Sequence, residues 1–136
     1  MRLMTETLER PLSALSETDR VHDLFLEKTL LRLEAMRENF DSGSWTTATK
    51  KSLVSNAFNI KNEAHAMGYQ LLEKTADSFC GYVDRIKYPT ENQRIVMAKH
   101  LETMQSVAIN NVEGEGGKIG SELFRYLQLL IQKFRE

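Results

Sequence analysis

The sequence predicts an all-α protein, and three observations lead to that prediction. Residues that break helices are scarce, since the 136 residues include two prolines and seven glycines. Between these breakers the apolar residues recur every three to four positions over long stretches. No stretch of useful length alternates between apolar and polar residues as a half-buried strand would. The breakers stand at Pro11, Gly43, Gly68, Gly81, Pro89 and within the run Gly114–Gly120.

The first half of the chain predicts two helices. The segment Ser16–Asp19 is a plausible N-cap for a first helix that extends to about Phe40. The segment Asp41–Ser44 is expected to end that helix and to cap the next. The second helix then runs from about Trp45 to Met67, where Gly68 interrupts it.

The second half predicts three more helices. The third follows Gly68 to about Lys87, and the segment Thr90–Gln93 forms a capping box for a fourth that lasts to about Val112. A fifth helix is expected from about Ile119 to Phe134. Because short turns join the last four helices, we expect an up-down-up-down four-helix bundle preceded by the long first helix, which packs across or alongside it. Residues 1–136 form one domain in this interpretation, with residues 1–15 as an N-terminal extension for which a helix is an open alternative.

Composition and charge narrow the functional classes. The 18 basic and 19 acidic residues give a net charge of −1, so no strongly basic balance favours a nucleic acid or an acidic membrane as the partner. Cys80 is the single cysteine and cannot form an internal disulfide, and the start of the chain lacks the apolar core of a signal peptide. The expected location is therefore the cytoplasm. No Glu-x-x-His, Cys-x-x-Cys or His-x-x-x-His pair is present, so we expect neither a metal nor a cofactor.

The second helix carries one large apolar residue, Phe58, on the side opposite its apolar face. At about 100° per residue, its apolar positions gather within an arc of about 80°, which predicts a face packed in the core. Phe58, Asn62, His65 and Tyr69 fall on nearly the opposite side, with Lys61 on one flank. This outward face combines aromatic and polar groups and suits contact with another protein. The alternative is that the first helix lies over Phe58 and buries it. The apolar face consists of Leu53, Ala57, Ile60, Ala64, Met67 and Leu71.

This segment resembles the signature helix of histidine phosphotransfer (HPt) domains. In that family an exposed histidine accepts phosphate, a lysine follows three residues later, a glycine comes next, and a second glycine ends the helix. Here Phe58–Asn62 occupies the His-x-x-Lys-Gly positions, and Gly68 with Tyr69 occupies the terminal glycine and the aromatic residue that often follows it. The resemblance covers about residues 18–136, and within the family the chain is similar to the alphaproteobacterial type. Further agreement lies at Leu71, Leu72, Ala76–Cys80 and Asn110–Gly117.

Two departures from the family pattern decide what the resemblance implies. Phe58 stands at the phospho-accepting position and has no nucleophile, and Asn62 puts a side chain where the family glycine leaves room for a receiver domain. Lys61, which in the family helps to neutralise the phosphoryl group, is retained. The resemblance therefore implies a non-catalytic HPt-like protein of two-component or phosphorelay signalling. We expect it to dock a response-regulator receiver domain or a histidine kinase through Phe58, Lys61, Asn62, His65 and Tyr69.

Two other functions remain open at this point. His65 lies seven residues after Phe58, about 20° round the helix, so it shares the outward face and could serve as the phosphate carrier instead. Against this, His65 is displaced by about 10.5 Å along the helix axis from the family position. The other alternative is a helical structural or dimerisation module, in which Phe58 is buried in a homodimer contact.

Overall fold

The computed structural model describes residues 17–135, which form five α-helices and contain no strand. The predicted all-α class is confirmed for this part of the chain. Residues 1–15 and the proposed N-cap residue Ser16 lie outside the described residues. The helices are α1 (Glu17–Asp41), α2 (Thr47–Met67), α3 (Gln70–Asp84), α4 (Glu91–Ile109) and α5 (Gly117–Lys133).

The ends of the helices follow local capping chemistry. The predicted capping box of α4 is confirmed, because the Thr90 hydroxyl accepts from the Gln93 backbone N–H while the Gln93 side chain accepts from the Thr90 N–H. The start of α2 differs from the prediction. Thr46, rather than the segment Asp41–Ser44, caps it by accepting a hydrogen bond from the Thr49 N–H. The third helix ends at Asp84, three residues before the predicted Lys87.

Helices α1 to α4 form a closed ring in which each helix packs on its two neighbours. The pairs of residues in contact show that α2 and α3 are antiparallel, since Lys61 meets Asp77 while His65, further along α2, meets Glu73, earlier on α3. At the opposite edge of the ring, the Arg94 guanidinium near the start of α4 lies 5.8 Å from the ring centroid of Phe40 near the end of α1. In these two pairs the neighbouring helices therefore run in opposite directions.

Helix α5 lies outside this ring, against α3 and α4. It runs parallel to α3, because two contacts advance in the same direction along both helices. Lys74 of α3 approaches the Phe124 ring of α5. Four residues further along each helix, Ser78 of α3 accepts a hydrogen bond from Gln128 of α5. The sequence instead predicts a bundle of the last four helices, with the first packed across or alongside it. The difference follows from how much apolar surface each helix buries. Helix α5 buries Gly120 and Leu127, whereas α1 buries a continuous stripe. That stripe consists of Phe25, Thr29, Leu33, Met36 and Phe40.

Candidate docking surface

The inner face of α2 is the one that its periodicity predicts. Leu53, Ala57, Ile60 and Ala64 are fully buried. Met67, at the end of the helix, is half-buried and packs against the edge of the core. The rotation of α2 about its own axis is therefore fixed by these residues, and this rotation determines which side chains face outward.

Phe58 faces outward, with 52% of its surface exposed. Helix α1 does not cover it, because α1 packs on another side of α2, where Lys28 and Arg32 both bind Glu63 at 3.1 and 3.2 Å. The alternative in which the first helix buries Phe58 is therefore wrong. Because about half of this side chain stays in solvent, it contributes less to the core than a buried phenylalanine would, and the exposed part of the ring is available to a partner.

Lys61 lies beside Phe58 and is already paired. Its ammonium is 3.0 Å from Asp77 on α3 and 5.6 Å from the centroid of the Phe58 ring. The hydrogen bond from Lys61 to Asp77 and the attraction between their charges raise the pKa of the lysine. A phosphoryl group at this position would have to compete with Asp77 for the ammonium, so the charge that serves phosphate in the HPt pattern is occupied within the chain.

Asn62 and His65 share the outward face with Phe58, as predicted. Both are exposed, and the His65 side chain keeps 75% of its surface in solvent. Its Nδ1 lies 3.0 Å from a carboxylate oxygen of Glu73 on α3. This contact orients the imidazole and directs its other nitrogen, Nε2, away from the carboxylate. Of the two ring nitrogens, Nε2 is thus the one aimed away from α3.

Tyr69 does not belong to this face, which corrects the prediction. Gly68 ends α2 with φ 81°, a left-handed conformation that favours glycine, so the helical projection stops before Tyr69. Tyr69 turns inward, is fully buried, and has its ring centroid 5.2 Å from that of Phe25. Its hydroxyl donates a hydrogen bond to Asn111, and burial raises its pKa. Tyr69 therefore holds the bundle together instead of contacting a partner.

A groove of about 940 Å³ continues the outward surface from Phe58 across α3. Its walls come from α2 and α5, and its floor comes from α3. Gly81 on the floor leaves open space where a side chain would stand. The charged lining has four cations against two carboxylates, so the groove is cationic overall. The cations are Lys50, Lys51, Arg85 and Arg135, and the carboxylates are Asp77 and Asp84.

Cys80 also lines the groove but is not a reactive thiol. Burial, the largest cause, raises its pKa to about 11. The thiol therefore stays protonated near neutral pH, and its hydrogen points at the Val54 carbonyl oxygen 3.5 Å away. Nucleophilic chemistry through this sulfur is disfavoured by the same burial that packs it.

A chain of polar contacts joins α5, α3 and α4 beneath the groove. The Gln128 amide donates to the Ser78 hydroxyl at 2.9 Å, and that hydroxyl lies 2.9 Å from His100 Nε2. His100 Nδ1 donates to the Val96 carbonyl oxygen at 2.8 Å, which leaves Nε2 to accept from Ser78 when the ring is neutral. Burial is the main cause that lowers the pKa of His100. The contacts satisfy a buried neutral imidazole and fix three helices relative to one another.

The depressed pKa of His100 predicts a loss of stability in mild acid. The unfolded chain binds a proton near the ordinary pKa of 6.5, whereas the folded chain resists it. The free energy of unfolding should therefore be highest above pH 6.5 and should fall as the pH drops below 6.5 towards the folded pKa. One such group contributes a slope of at most about 1.4 kcal/mol per pH unit. Urea titrations of the wild type and His100→Phe between pH 7.5 and 5 should show a smaller slope in the variant, and equal slopes would contradict the assignment.

Among residues 17–135 no cluster of three or more acidic, histidine or cysteine side chains could hold a metal ion. None of the helices described is both long and apolar enough to cross a membrane. No protein-family model matches the chain, and no curated protein or solved structure matches it significantly. The arrangement around Phe58 and the adjoining groove therefore provides the main argument about function.

Proposed function

We propose that this chain is a non-catalytic HPt-like protein of two-component signalling. It docks the receiver domain of a response regulator, or a histidine kinase, through the outward face of α2 and does not accept phosphate. The exposure of Phe58 is the observation that supports this most directly, because the resemblance puts the phospho-accepting histidine at that position. Within this proposal α1 to α4 correspond to an HPt-like up-down-up-down bundle, and α5 is packed outside it.

The surroundings of Phe58 favour docking over phosphate transfer. A phenyl ring cannot attack an aspartyl phosphate, and the neighbouring Lys61 is held by Asp77 at 3.0 Å. An exposed aromatic residue is, however, a common anchor in protein interfaces, where it fills a pocket of the partner and excludes water. The phospho-accepting position holds Phe58, and the lysine that would neutralise phosphate is paired with Asp77. The ring of Phe58, which would anchor a partner, is exposed.

The groove supports a partner with an acidic docking surface. It begins at Phe58 and continues to a cationic end, formed by Lys50 and Lys51 on α2 with Arg85 and Arg135 near the ends of α3 and α5. Cations at such a rim accelerate encounter with an acidic surface and orient it, and they add less to the final affinity than a buried anchor does. Phe58 supplies affinity in this proposal, and the cationic end supplies orientation.

Replacing Phe58 by aspartate tests the proposal. Purified receiver domains and kinase cytoplasmic portions from the same organism are titrated against the chain by calorimetry. We expect at least one to bind, and Phe58→Asp to weaken its affinity by roughly 30-fold, because loss of an aromatic anchor typically costs about 2 kcal/mol. The fold should survive, since the position is exposed.

Ile109→Asp is the matched control. Ile109 is also an exposed apolar residue, but it lies at the end of α4, across the ring from α2. The Ile109→Asp variant should bind the same partner with wild-type affinity. Equal affinities for the wild type and Phe58→Asp would show that the partner uses another surface, and no binding to any receiver or kinase would reject the proposal.

A second candidate, a phosphate carrier that uses His65, is favoured by one observation. The imidazole is exposed, and the Glu73 carboxylate holds its Nδ1 at 3.0 Å, which leaves Nε2 turned away from α3. A carboxylate in this position would also stabilise the imidazolium formed during proton transfer. Labelling of the wild type by a phosphorylated receiver, lost in His65→Gln, would select this function over the docking proposal.

A further inference from the structure

The groove beside Phe58 changes in character from one end to the other. Phe58, Ser78 and Gln128 line one end, which combines an aromatic ring with polar groups. The opposite end is cationic, and Lys51 there lies seven residues before Phe58, about 10.5 Å along α2. On each of the three helices an apolar residue or a glycine lies between these two ends. The residues of this apolar middle are Val54, Gly81 and Ile131.

Gly81 has no role in the fold that would require a glycine. Glycine inside a helix destabilises it relative to alanine, so its presence in α3 needs a reason. Of the seven glycines, five have a left-handed backbone, and a side chain on Gly120 would meet the carbonyl oxygen of Glu115. Gly81 has neither reason, since a Cβ there would meet nothing within 4 Å. Its effect is to leave the backbone of α3 open to close approach from the groove.

The cations at the far end of the groove have no acidic partner among residues 17–135. Asp77, one of the two carboxylates that line the groove, lies at the Phe58 end and is held by Lys61 at 3.0 Å. Asp84 is the other and lies at the cationic end. Four cations and one carboxylate therefore leave an excess of three positive charges there. The cations are Lys50, Lys51, Arg85 and Arg135, and none of them forms an ion pair in the part of the chain that the structure describes.

Contacts at the ends of the helices fix the backbone that carries these cations. The Trp45 indole donates a hydrogen bond to the Lys87 carbonyl oxygen at 2.9 Å, which holds the start of α2 against the end of α3. The Tyr82 hydroxyl donates to the Phe134 carbonyl oxygen at 2.6 Å, which holds the end of α5 against α3. The cationic end is thus assembled without a ligand, and this lowers the ordering cost of binding one.

We propose that the groove binds an amphiphile with a single apolar chain and a phosphate monoester head. The phosphate lies among the four cations, where the guanidinium groups of Arg85 and Arg135 suit bidentate binding of its oxygens. The apolar chain follows the middle of the groove, passes over Gly81 and ends against the ring of Phe58. The volume of about 940 Å³ lies within the range of small-molecule sites, about 300–1,000 Å³.

Each part of this ligand follows from a part of the groove. A phosphate monoester carries about 1.5 to 2 negative charges at neutral pH and so matches the excess of three cations better than a carboxylate does. A nucleotide would put a polar sugar into the apolar middle, where Val54 and Ile131 offer it no hydrogen bond. An acidic peptide is the other class of ligand that the cations attract, but the open backbone at Gly81 favours a thin chain over a bulky one.

The site does not depend on the docking proposal, because the binding is a property of the chain alone. A bound phosphate occupies the cations that orient an acidic partner in that proposal, so the amphiphile should also weaken docking. This last consequence rests on the proposed function. Failure of the chain to bind the amphiphile would leave docking through Phe58 untouched, so the two proposals fail separately.

Titration of the full chain with decyl phosphate, below the concentration at which it forms micelles, tests the site. Trp45 is the single tryptophan and adjoins the cationic end, so its fluorescence reports binding there alongside calorimetry. We expect saturable binding of one molecule per chain. Decyltrimethylammonium, which has the same chain and the opposite charge, should bind at least roughly tenfold more weakly, and so should inorganic phosphate. Absence of saturable binding by decyl phosphate would overturn the proposal, as would equal affinity for either of these two probes.

Two variants separate the chain from the head. Gly81→Leu fills the apolar middle without a change of charge and should weaken decyl phosphate roughly tenfold, while the better helix former preserves the fold. Arg85→Glu should weaken it by at least as much, whereas Lys118→Glu, an equal charge change on an exposed residue outside the groove, should not. Unchanged affinity in both groove variants would reject the site. Tighter binding of tetraglutamate than of decyl phosphate would assign the groove to an acidic peptide and overturn the proposal.

Discussion

The Ile60→Asp variant should lose about 4 kcal/mol or more of its free energy of unfolding, whereas Phe58→Ala should melt within a few degrees of the wild type. Ile60 is completely buried on the inner face of α2, so an aspartate there loses apolar contacts and buries a carboxylate without a partner. Such a change is a large fraction of the stability of a domain, which is about 5–15 kcal/mol in total. Met67→Asp should follow with a smaller loss, because Met67 is half-buried at the edge of the core.

Urea unfolding followed by circular dichroism measures these differences. Phe58→Ala is the matched comparison because Phe58 and Ile60 are two residues apart on one helix and differ in which way they face. A cost of about 3 kcal/mol or more for Phe58→Ala would be that of a core truncation. It would place Phe58 inside the fold and remove the argument for a docking surface. Wild-type stability of Ile60→Asp would mean that α2 is rotated from the described position.

The inner face of α2 could be predicted because helical geometry relates its residues directly. The fixed rotation per residue of an α-helix relates the direction of the Leu53 side chain to that of Ala64, and no other part of the chain is needed to predict it. The same projection failed at Tyr69, because Gly68 takes a left-handed conformation and the chain turns into the core. The glycine was visible in the sequence as an interruption. Its effect on the direction of the next side chain depends on a backbone angle that periodicity does not contain.

The partners of Lys61 and His65 could have been found from the sequence but were missed. Lys61 lies eight residues before Tyr69 and Asp77 lies eight after it, while His65 and Glu73 lie four before and four after. Two antiparallel helices joined at this turn bring together residues that are equally distant from it. Both pairs join a base to an acid, which is the signal that the pattern offered.

The groove and the position of α5 could not be predicted in this way. They depend on how α5 packs against two helices that are distant in sequence, through contacts such as Gln128 with Ser78, fifty residues apart. The position of α5 depends on surface complementarity between whole helices. For this reason the first helix, with its continuous buried stripe, completed the ring in place of the fifth.

Phosphotransfer gives the largest expected contrast at the proposed docking site. Incubation with a phosphorylated receiver or an autophosphorylated kinase should leave no acid-labile phosphate on the wild-type chain, because Phe58 has no nucleophile. The double variant Phe58→His/Asn62→Gly should accept label measurably better than either single variant. The new imidazole supplies the acceptor, and the glycine removes the side chain that limits the approach of a receiver. Lys61 already stands three residues after the new histidine.

The ion pair between Lys61 and Asp77 sets how far this restoration goes. In the double variant the ammonium would still be 3.0 Å from Asp77, so only part of its charge would be offered to phosphate. Adding Asp77→Asn should therefore raise labelling further, while the same change in the wild type should produce none. Wild-type labelling that disappears in His65→Gln would make the chain a carrier with a relocated site. A double variant that folds and binds the same receiver, yet takes no label, would show that the surface around Phe58 no longer presents a receiver aspartate to this position.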